Sequence, residues 1–227
     1  MNITLCDDKV FPFLIIDNFY NNEEEIKIWI DLELLHPLLK DEKTSTGNMA
    51  VDGDGNKKGD AKRVYLDTFF GNNRGQSNIL TYYKKIVSPE IIKTYTKNVP
   101  AGITFQSSDT DISQISYYDE SGYYGEHHDL YMHTCLIWFY KEPKKFQGGD
   151  LKFIQSKTTV DCKHNRMVLF PSYYLHEVVR MDMNKEYINK GFGRYCLTHF
   201  YNINGYKNNG TLRTNKWWWF CCRSYCG

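Results

Sequence analysis

Gly125-Glu126-His127-His128-Asp129, followed by His133-Thr134-Cys135-Leu136-Ile137-Trp138-Phe139-Tyr140, is the stretch that decides how this chain folds. Its second half is a short apolar run rich in aromatic side chains, which reads as a buried strand rather than a helix. It is one of a series. From Ile112 onward, strand-like segments recur at Gln114 to Tyr118, His133 to Tyr140, Leu151 to Ile154, Arg166 to Phe170, His176 to Val179 and Arg194 to Tyr201, with turns between them. Strands without intervening helices predict an antiparallel barrel or sandwich. The first half of the stretch carries chemistry. Residues two apart on a strand project to the same side, so His127 and Asp129 can offer an imidazole and a carboxylate to one ion. His176, in Leu175-His176-Glu177-Val178, arrives from a distant strand and completes two histidines and one carboxylate. That donor set leaves coordination positions open and suits non-haem Fe(II).

Ahead of the strand-rich half, the grammar differs. Phe11 to Ile16 reads as a strand, and Asn21-Asn22-Glu23-Glu24-Glu25 offers a polar cap with acids in the first helical turn, favourable at the positive end of a helix. A helix over Asn22 to Leu35 follows; its apolar positions are too crowded for one stripe, predicting that more than one face is covered. Lys40 to Lys62 is rich in Gly, Asp, Asn and Lys and reads as an exposed loop of the length that often serves as a lid. Val64 to Asp67 reads as a short strand, and Ser77 to Thr96 as a helix interrupted near Pro89, because proline lacks the amide donor that a helix interior needs.

Composition bounds the class. The chain has 227 residues, enough for one well-buried core. Lys and Arg total 28 against 27 Asp and Glu, a formal charge of +1, so no global field draws the protein to phosphate, and no nucleic-acid partner is expected. Phe11 to Ile16 and Cys135 to Tyr140 fall far short of the roughly 18 residues of a membrane helix, so no membrane partner is expected. The first residues carry neither a basic segment nor an apolar one, and a cytoplasmic location is expected. Seven cysteines, with Cys6, Cys135, Cys162 and Cys196 scattered singly, give no disulfide framework. None of these patterns bears on oligomeric state.

The landmarks Tyr118, Gly122, His127-His128-Asp129, Leu136 to Tyr140, Gly148-Gly149-Asp150-Leu151, Leu169-Phe170-Pro171, His176-Glu177-Val178 and Arg194-Tyr195 occur in one order. In that order the chain resembles the prolyl 4-hydroxylase branch of the Fe(II)- and 2-oxoglutarate-dependent dioxygenases, over about two fifths of its length, from Ile112 to Asn202. The resemblance implies a mainly β fold with α support: a double-stranded β-helix, the cupin-like jelly roll, with N-terminal helices packed on it. It implies His127, Asp129 and His176 as iron ligands, Arg194 as the partner of the distal carboxylate of 2-oxoglutarate, and Tyr118 as a hydrogen-bond donor to that carboxylate. A guanidinium suits this role, since it grips carboxylate bidentately and keeps its charge when buried. The spacing from His176 to Arg194 exceeds the family's usual one, making Asp182 to Gly193 an inserted loop; without such an insertion Lys185 would be the competing anchor. Tyr117 competes with Tyr118, because alternation turns only one of them inward.

The expected organisation is a single dioxygenase domain over residues 1–205, with helical support over 1–110 and the jelly-roll core over 111–205, then a tail over 206–227. The expected activity is hydroxylation of an unactivated carbon, a peptidyl proline in first place, by an oxidoreductase that incorporates molecular oxygen and releases succinate and carbon dioxide. Fe(II), 2-oxoglutarate and O2 are the implied cofactors, with L-ascorbate as reductant. Two alternatives stay open: hydroxylation of a free amino acid or other small molecule, and a non-catalytic sensor module that binds metal and 2-oxoglutarate. Turnover of 2-oxoglutarate separates the second from an enzyme. The tail, Trp217-Trp218-Trp219-Phe220-Cys221-Cys222 through Cys226, lacks a fourth ligand for zinc and is expected to dock its aromatics on the barrel.

Overall fold

A computed structural model describes residues 1–8, 10–41 and 50–204. The tail from residue 206 and the middle of the Lys40 to Lys62 loop lie outside the described residues. The chain opens with β1 (Asn2–Cys6) and β2 (Phe13–Asp17), paired antiparallel, and then α1 (Asn22–Leu35). Asn21 and Glu24 form a reciprocal capping box, each side chain bonding the other's backbone amide, which satisfies two donors that a helix start otherwise strands. Short strands β3 (Lys40–Asp41), β4 (Gly59–Asp60) and β5 (Lys62–Tyr65) follow. Next come helices α2 (Leu66–Phe70), α3 (Asn78–Tyr82), α4 (Pro89–Asn98) and α5 (Gly102–Gln106).

The remaining strands are β6 (Thr110–Tyr118), β7 (Tyr123–His127), β8 (His133–Phe139), β9 (Phe146–Gln147), β10 (Leu151–Phe153), β11 (Thr158–Val160), β12 (Arg166–Pro171), β13 (His176–Val178), β14 (Asp182–Met183) and β15 (Arg194–Asn202). They build a jelly roll from two facing sheets. The larger has the order β1-β2-β12-β8-β15-β6-β5-β3, and the smaller β11-β10-β13-β7-β4. Alternation divides the buried side chains between two cores. Cys135, Ile137, Phe139, Leu197 and Tyr201 leave the outer face of the larger sheet and pack against Ile28, Leu32 and Leu35 of α1 and Ile91 and Tyr95 of α4. Trp138, Val168, Phe170, Cys196 and Tyr118 point the other way and meet Leu151, Phe153 and Val178 of the smaller sheet.

Several expectations need adjustment. Residues 1–110 supply helices and also β1 to β5, so the support is partly sheet. In α1 only the face bearing Ile28, Asp31, Leu32 and Leu35 is buried, while Ile26, Ile30 and Leu34 are exposed; the crowded apolar pattern did not mean two covered faces. The Ser77 to Thr96 helix is three pieces, α3, a 3-10 segment at Tyr83–Val87, and α4 with Pro89 in its first turn, where a missing amide costs nothing. Among the described residues no helix is long and apolar enough to cross a membrane.

The turn at Gly148-Gly149 brings β10 beside β13. Both glycines have positive φ, 71° and 73°, and a Cβ at Gly148 would lie 2.2 Å from the Arg180 carbonyl oxygen. Replacement by alanine combines backbone strain with a collision against main chain. Gly148→Ala is expected to lower the unfolding free energy by at least about 2 kcal/mol in urea titration; an unchanged midpoint would show that the corner can relax.

Candidate active site

The two sheets flank a cavity that is partly open to solvent. His127 ends β7 and His176 begins β13, and register sets them opposite each other. Asp129 was read as sharing His127's strand, but β7 stops at His127 and Asp129 lies two residues beyond it. Its amide donates to Ser172 O at 3.1 Å, which folds the chain so that its carboxylate still meets both histidines. His127 Nε2 is 3.6 Å from Asp129 Oδ1, and His176 Nε2 is 3.5 Å from Asp129 Oδ2. One ligand atom from each of the three lies within 4.8 Å of the others, the one such cluster among the described residues.

Both imidazoles are held ready to ligate. His127 Nδ1 is 2.8 Å from Gly125 O and His176 Nδ1 2.7 Å from Tyr174 O. A carbonyl can only accept, so each Nδ1 carries a proton, and each Nε2 is turned toward Asp129. Burial, then the neighbouring His176, pushes the His127 pKa down to about 3, which keeps that ring neutral. Thr134 Oγ1 donates to Asp129 Oδ2 at 2.6 Å and lies 2.8 Å from Ser172 Oγ, orienting the carboxylate. Tyr124 stacks on His127 with ring centroids 3.6 Å apart. Neither Thr134, Ser172 nor Tyr124 was singled out from sequence, since a hydroxyl or a ring in a strand carries no spacing signal.

At the other end of the cavity stands Arg194. It is fully buried, and all three guanidinium nitrogens lack a hydrogen-bond partner among the described residues. Its guanidinium carbon lies 4.9 Å from the Tyr118 ring centroid and 5.3 Å from that of Trp138. Tyr118 lines the same cavity. Burial raises its pKa, so its hydroxyl stays protonated. Tyr117 points outward, accepting from Gly193 N at 3.0 Å and packing under the helices. Lys185 is exposed on a 3-10 turn away from the cavity. Arg63, on β5, also lines the cavity and escaped sequence reasoning.

These residues fit the implied groups. Two imidazole Nε2 atoms and a carboxylate suit a divalent ion. A buried fork of unused N–H donors suits a carboxylate. Residues 113–202 match the profile of the 2OG-Fe(II) oxygenase superfamily. The match spans about two fifths of the chain and falls on the strands of the barrel. Among solved structures the chain is similar to a prolyl-4-hydroxylase of Pseudomonas putida, with 15% identity and a TM-score of 0.57 over 85% of this chain and 93% of that one. It is similar to a prolyl hydroxylase of Trichoplax adhaerens solved with a peptide fragment of the hypoxia inducible factor oxygen degradation domain, with 15% identity and a TM-score of 0.55 over 84% and 83%. A prolyl 4-hydroxylase of Phytophthora capsici shares 19% identity and a TM-score of 0.53, covering 92% of this chain and 65% of that one. At these identities the likeness is one of fold. No curated protein sequence matches the chain.

The other histidines are structural. His128 is exposed. His133 is buried on the outer face of β8, where Tyr95 Oη and Thr104 Oγ1 lie 3.0 and 2.7 Å from its two ring nitrogens. His199 is buried against Ser113 Oγ at 2.8 Å and stacks on Tyr83. Burial lowers the pKa of His133 to about 4, and burial, then Arg74, that of His199 to about 3. Below about pH 6.5 the unfolded chain takes up protons at these positions that the folded chain refuses. Stability is therefore full above that pH and falls as pH drops toward 4. The urea midpoint of chelator-treated protein is expected to decrease between pH 7 and 4.5; a flat profile would contradict neutral buried histidines.

Proposed function

We propose that this protein is an Fe(II)- and 2-oxoglutarate-dependent dioxygenase that hydroxylates an unactivated carbon, a peptidyl proline in first place, with release of succinate and carbon dioxide and with ascorbate sustaining turnover. The observation that carries the reading is the fully buried Arg194, whose nitrogens lack acceptors, at the far end of a cavity that has His127, Asp129 and His176 at its other end. A charge stranded in this way is costly unless an anion meets it. A dicarboxylate that reaches from Arg194 to the triad answers both ends.

In this reading His127 and His176 ligate iron through Nε2 and Asp129 through its carboxylate. Iron, when bound, supplies a redox-active centre with open positions for co-substrate and oxygen. The Gly125 and Tyr174 carbonyls hold the two imidazoles in the ligating tautomer, and Thr134 with Ser172 holds Asp129. Arg194 and the protonated Tyr118 hydroxyl donate to the distal carboxylate. Leu136, Val178 and Phe200 line the cavity with apolar surface, which limits water and strengthens these charge-assisted bonds. Prolyl chemistry is supported by the fold likeness to prolyl hydroxylases, one of them solved with a peptide.

Two substitutions test the site. His176→Ala is expected to abolish iron retention measured by metal analysis, together with 2-oxoglutarate consumption. Arg194→Ala is expected to raise the apparent Michaelis constant for 2-oxoglutarate at least about a hundredfold, since stranding one partner of a buried charge pair costs about 3 to 5 kcal/mol. Lys185→Ala should leave that constant unchanged. A large effect in Lys185→Ala with little in Arg194→Ala would move the anchor.

The substrate is tested by mass spectrometry. Proline-rich peptides and free L-proline are offered in parallel with iron, 2-oxoglutarate and ascorbate, and the peptide is expected to gain one oxygen. Oxidation of free proline alone would favour a small-molecule hydroxylase. Consumption of 2-oxoglutarate with neither oxidised would end the prolyl assignment and leave the dioxygenase standing.

A further inference from the structure

The cavity holds a second buried arginine. Arg63 stands on β5 in register with Ser116 of β6, while Arg194 stands on β15 in register with Tyr118. Because β6 lies between β5 and β15, the two guanidinium groups enter from different strands, with backbones about 10 Å apart across the sheet. Both interact with Tyr118, and their other neighbours differ. Arg194 lies against Tyr118 and Trp138. Arg63 is 6% exposed, and its guanidinium carbon lies 5.0 Å from the centroid of the Tyr124 ring, the ring that stacks on His127. Arg194 therefore marks the end of the cavity remote from the triad, and Arg63 the wall beside it.

The surroundings of Arg63 restrict where its donors go. Cation–π contact with Tyr124 holds the planar fork, and Tyr124 is itself fixed by the amide of Ala50, which donates to Tyr124 Oη at 2.9 Å. Gly59 pairs with Tyr124 in the β4–β7 ladder, and Gly125 N donates to Lys58 O at 2.7 Å. The stretch that leads into β5 is thus tied to β7, the strand that ends in His127. A fixed fork beside the reacting centre suits planar oxygen acceptors, a carbonyl or a carboxylate, better than an ammonium would.

We propose that Arg63 is a specificity-determining residue that donates to a carbonyl or carboxylate oxygen of the primary substrate, next to the carbon that is oxidised. This rests on the prolyl dioxygenase reading above. Two sources could present that oxygen: the main-chain carbonyl of a peptide and the carboxylate of a free amino acid.

The test is calorimetric and needs no turnover. Full-length protein is loaded with Zn(II) in place of iron and saturated with 2-oxoglutarate, then titrated with a proline-rich peptide, with free L-proline, and with pyrrolidine, which lacks both oxygens. In the parent protein the peptide or L-proline is expected to bind at least tenfold more tightly than pyrrolidine. Arg63→Gln should remove that advantage, Arg63→Lys should retain part of it, and the affinity for 2-oxoglutarate should stay within about threefold in both, which also reports an intact fold. Preference for the peptide assigns the main-chain carbonyl, and preference for L-proline the carboxylate. Equal probe affinities in the parent and in Arg63→Gln overturn the assignment of Arg63 alone. A loss of 2-oxoglutarate affinity equal to the loss of probe affinity moves Arg63 into the co-substrate site and overturns it as well. If Arg63→Gln does not fold, parent-like probe affinities in Arg63→Lys overturn the fork requirement. Failure of the parent protein to bind any probe overturns the prolyl reading, and the proposal with it.

Discussion

Alternation along β15, fixed by simultaneous pairing with β6 and β8, is the constraint on which the remaining structure depends. Arg194, Cys196, Thr198 and Phe200 face the cavity, while Tyr195, Leu197 and Tyr201 face the helices. A slip of one residue in either ladder would place Tyr195 in the cavity and drive the guanidinium of Arg194 into the apolar core under α1 and α4. Both outcomes are costly, so the register that builds the hydrophobic core also aims the arginine. The Arg194 end of the cavity follows from core packing and needs no separate device.

The end that carries His127, Asp129 and His176 is built differently. His127 and His176 meet because β7 pairs with β13, but Asp129 belongs to neither strand, and its approach depends on a loop bonded to Ser172. Hydroxyl and carbonyl partners then fix the side chains: Thr134 for Asp129, Gly125 O for His127, Tyr174 O for His176. Each ligand is thus oriented by a neighbour within five residues of it in the chain. Short-range contacts of this kind hold geometry without long side chains that must be ordered against entropy. The backbone carbonyls do a second service, since they exclude the wrong tautomer.

Much of the site was legible before any coordinates. His127, Asp129 and His176 stood out because their residue types and spacing suit a metal, and Arg194 through the family resemblance. Arg63 was not legible. Its segment, Lys62-Arg63-Val64-Tyr65, reads as an ordinary edge between a polar loop and a helix, and only the register with Ser116 reveals which way the arginine points.

The amino-acid sequence by itself determined the class of fold, the chemistry of the ligands and which half of the chain carries them, because these depend on local periodicity and residue type. The tertiary structure decided the rest: that Tyr118 rather than Tyr117 faces the cavity, that Lys185 is exposed, that a second arginine flanks the triad, and that β1 to β5 join sheets built mostly by the other half. These depend on pairing between residues far apart along the chain. Period-two alternation leaves two equivalent faces, and only burial against a partner sheet makes one of them the inside.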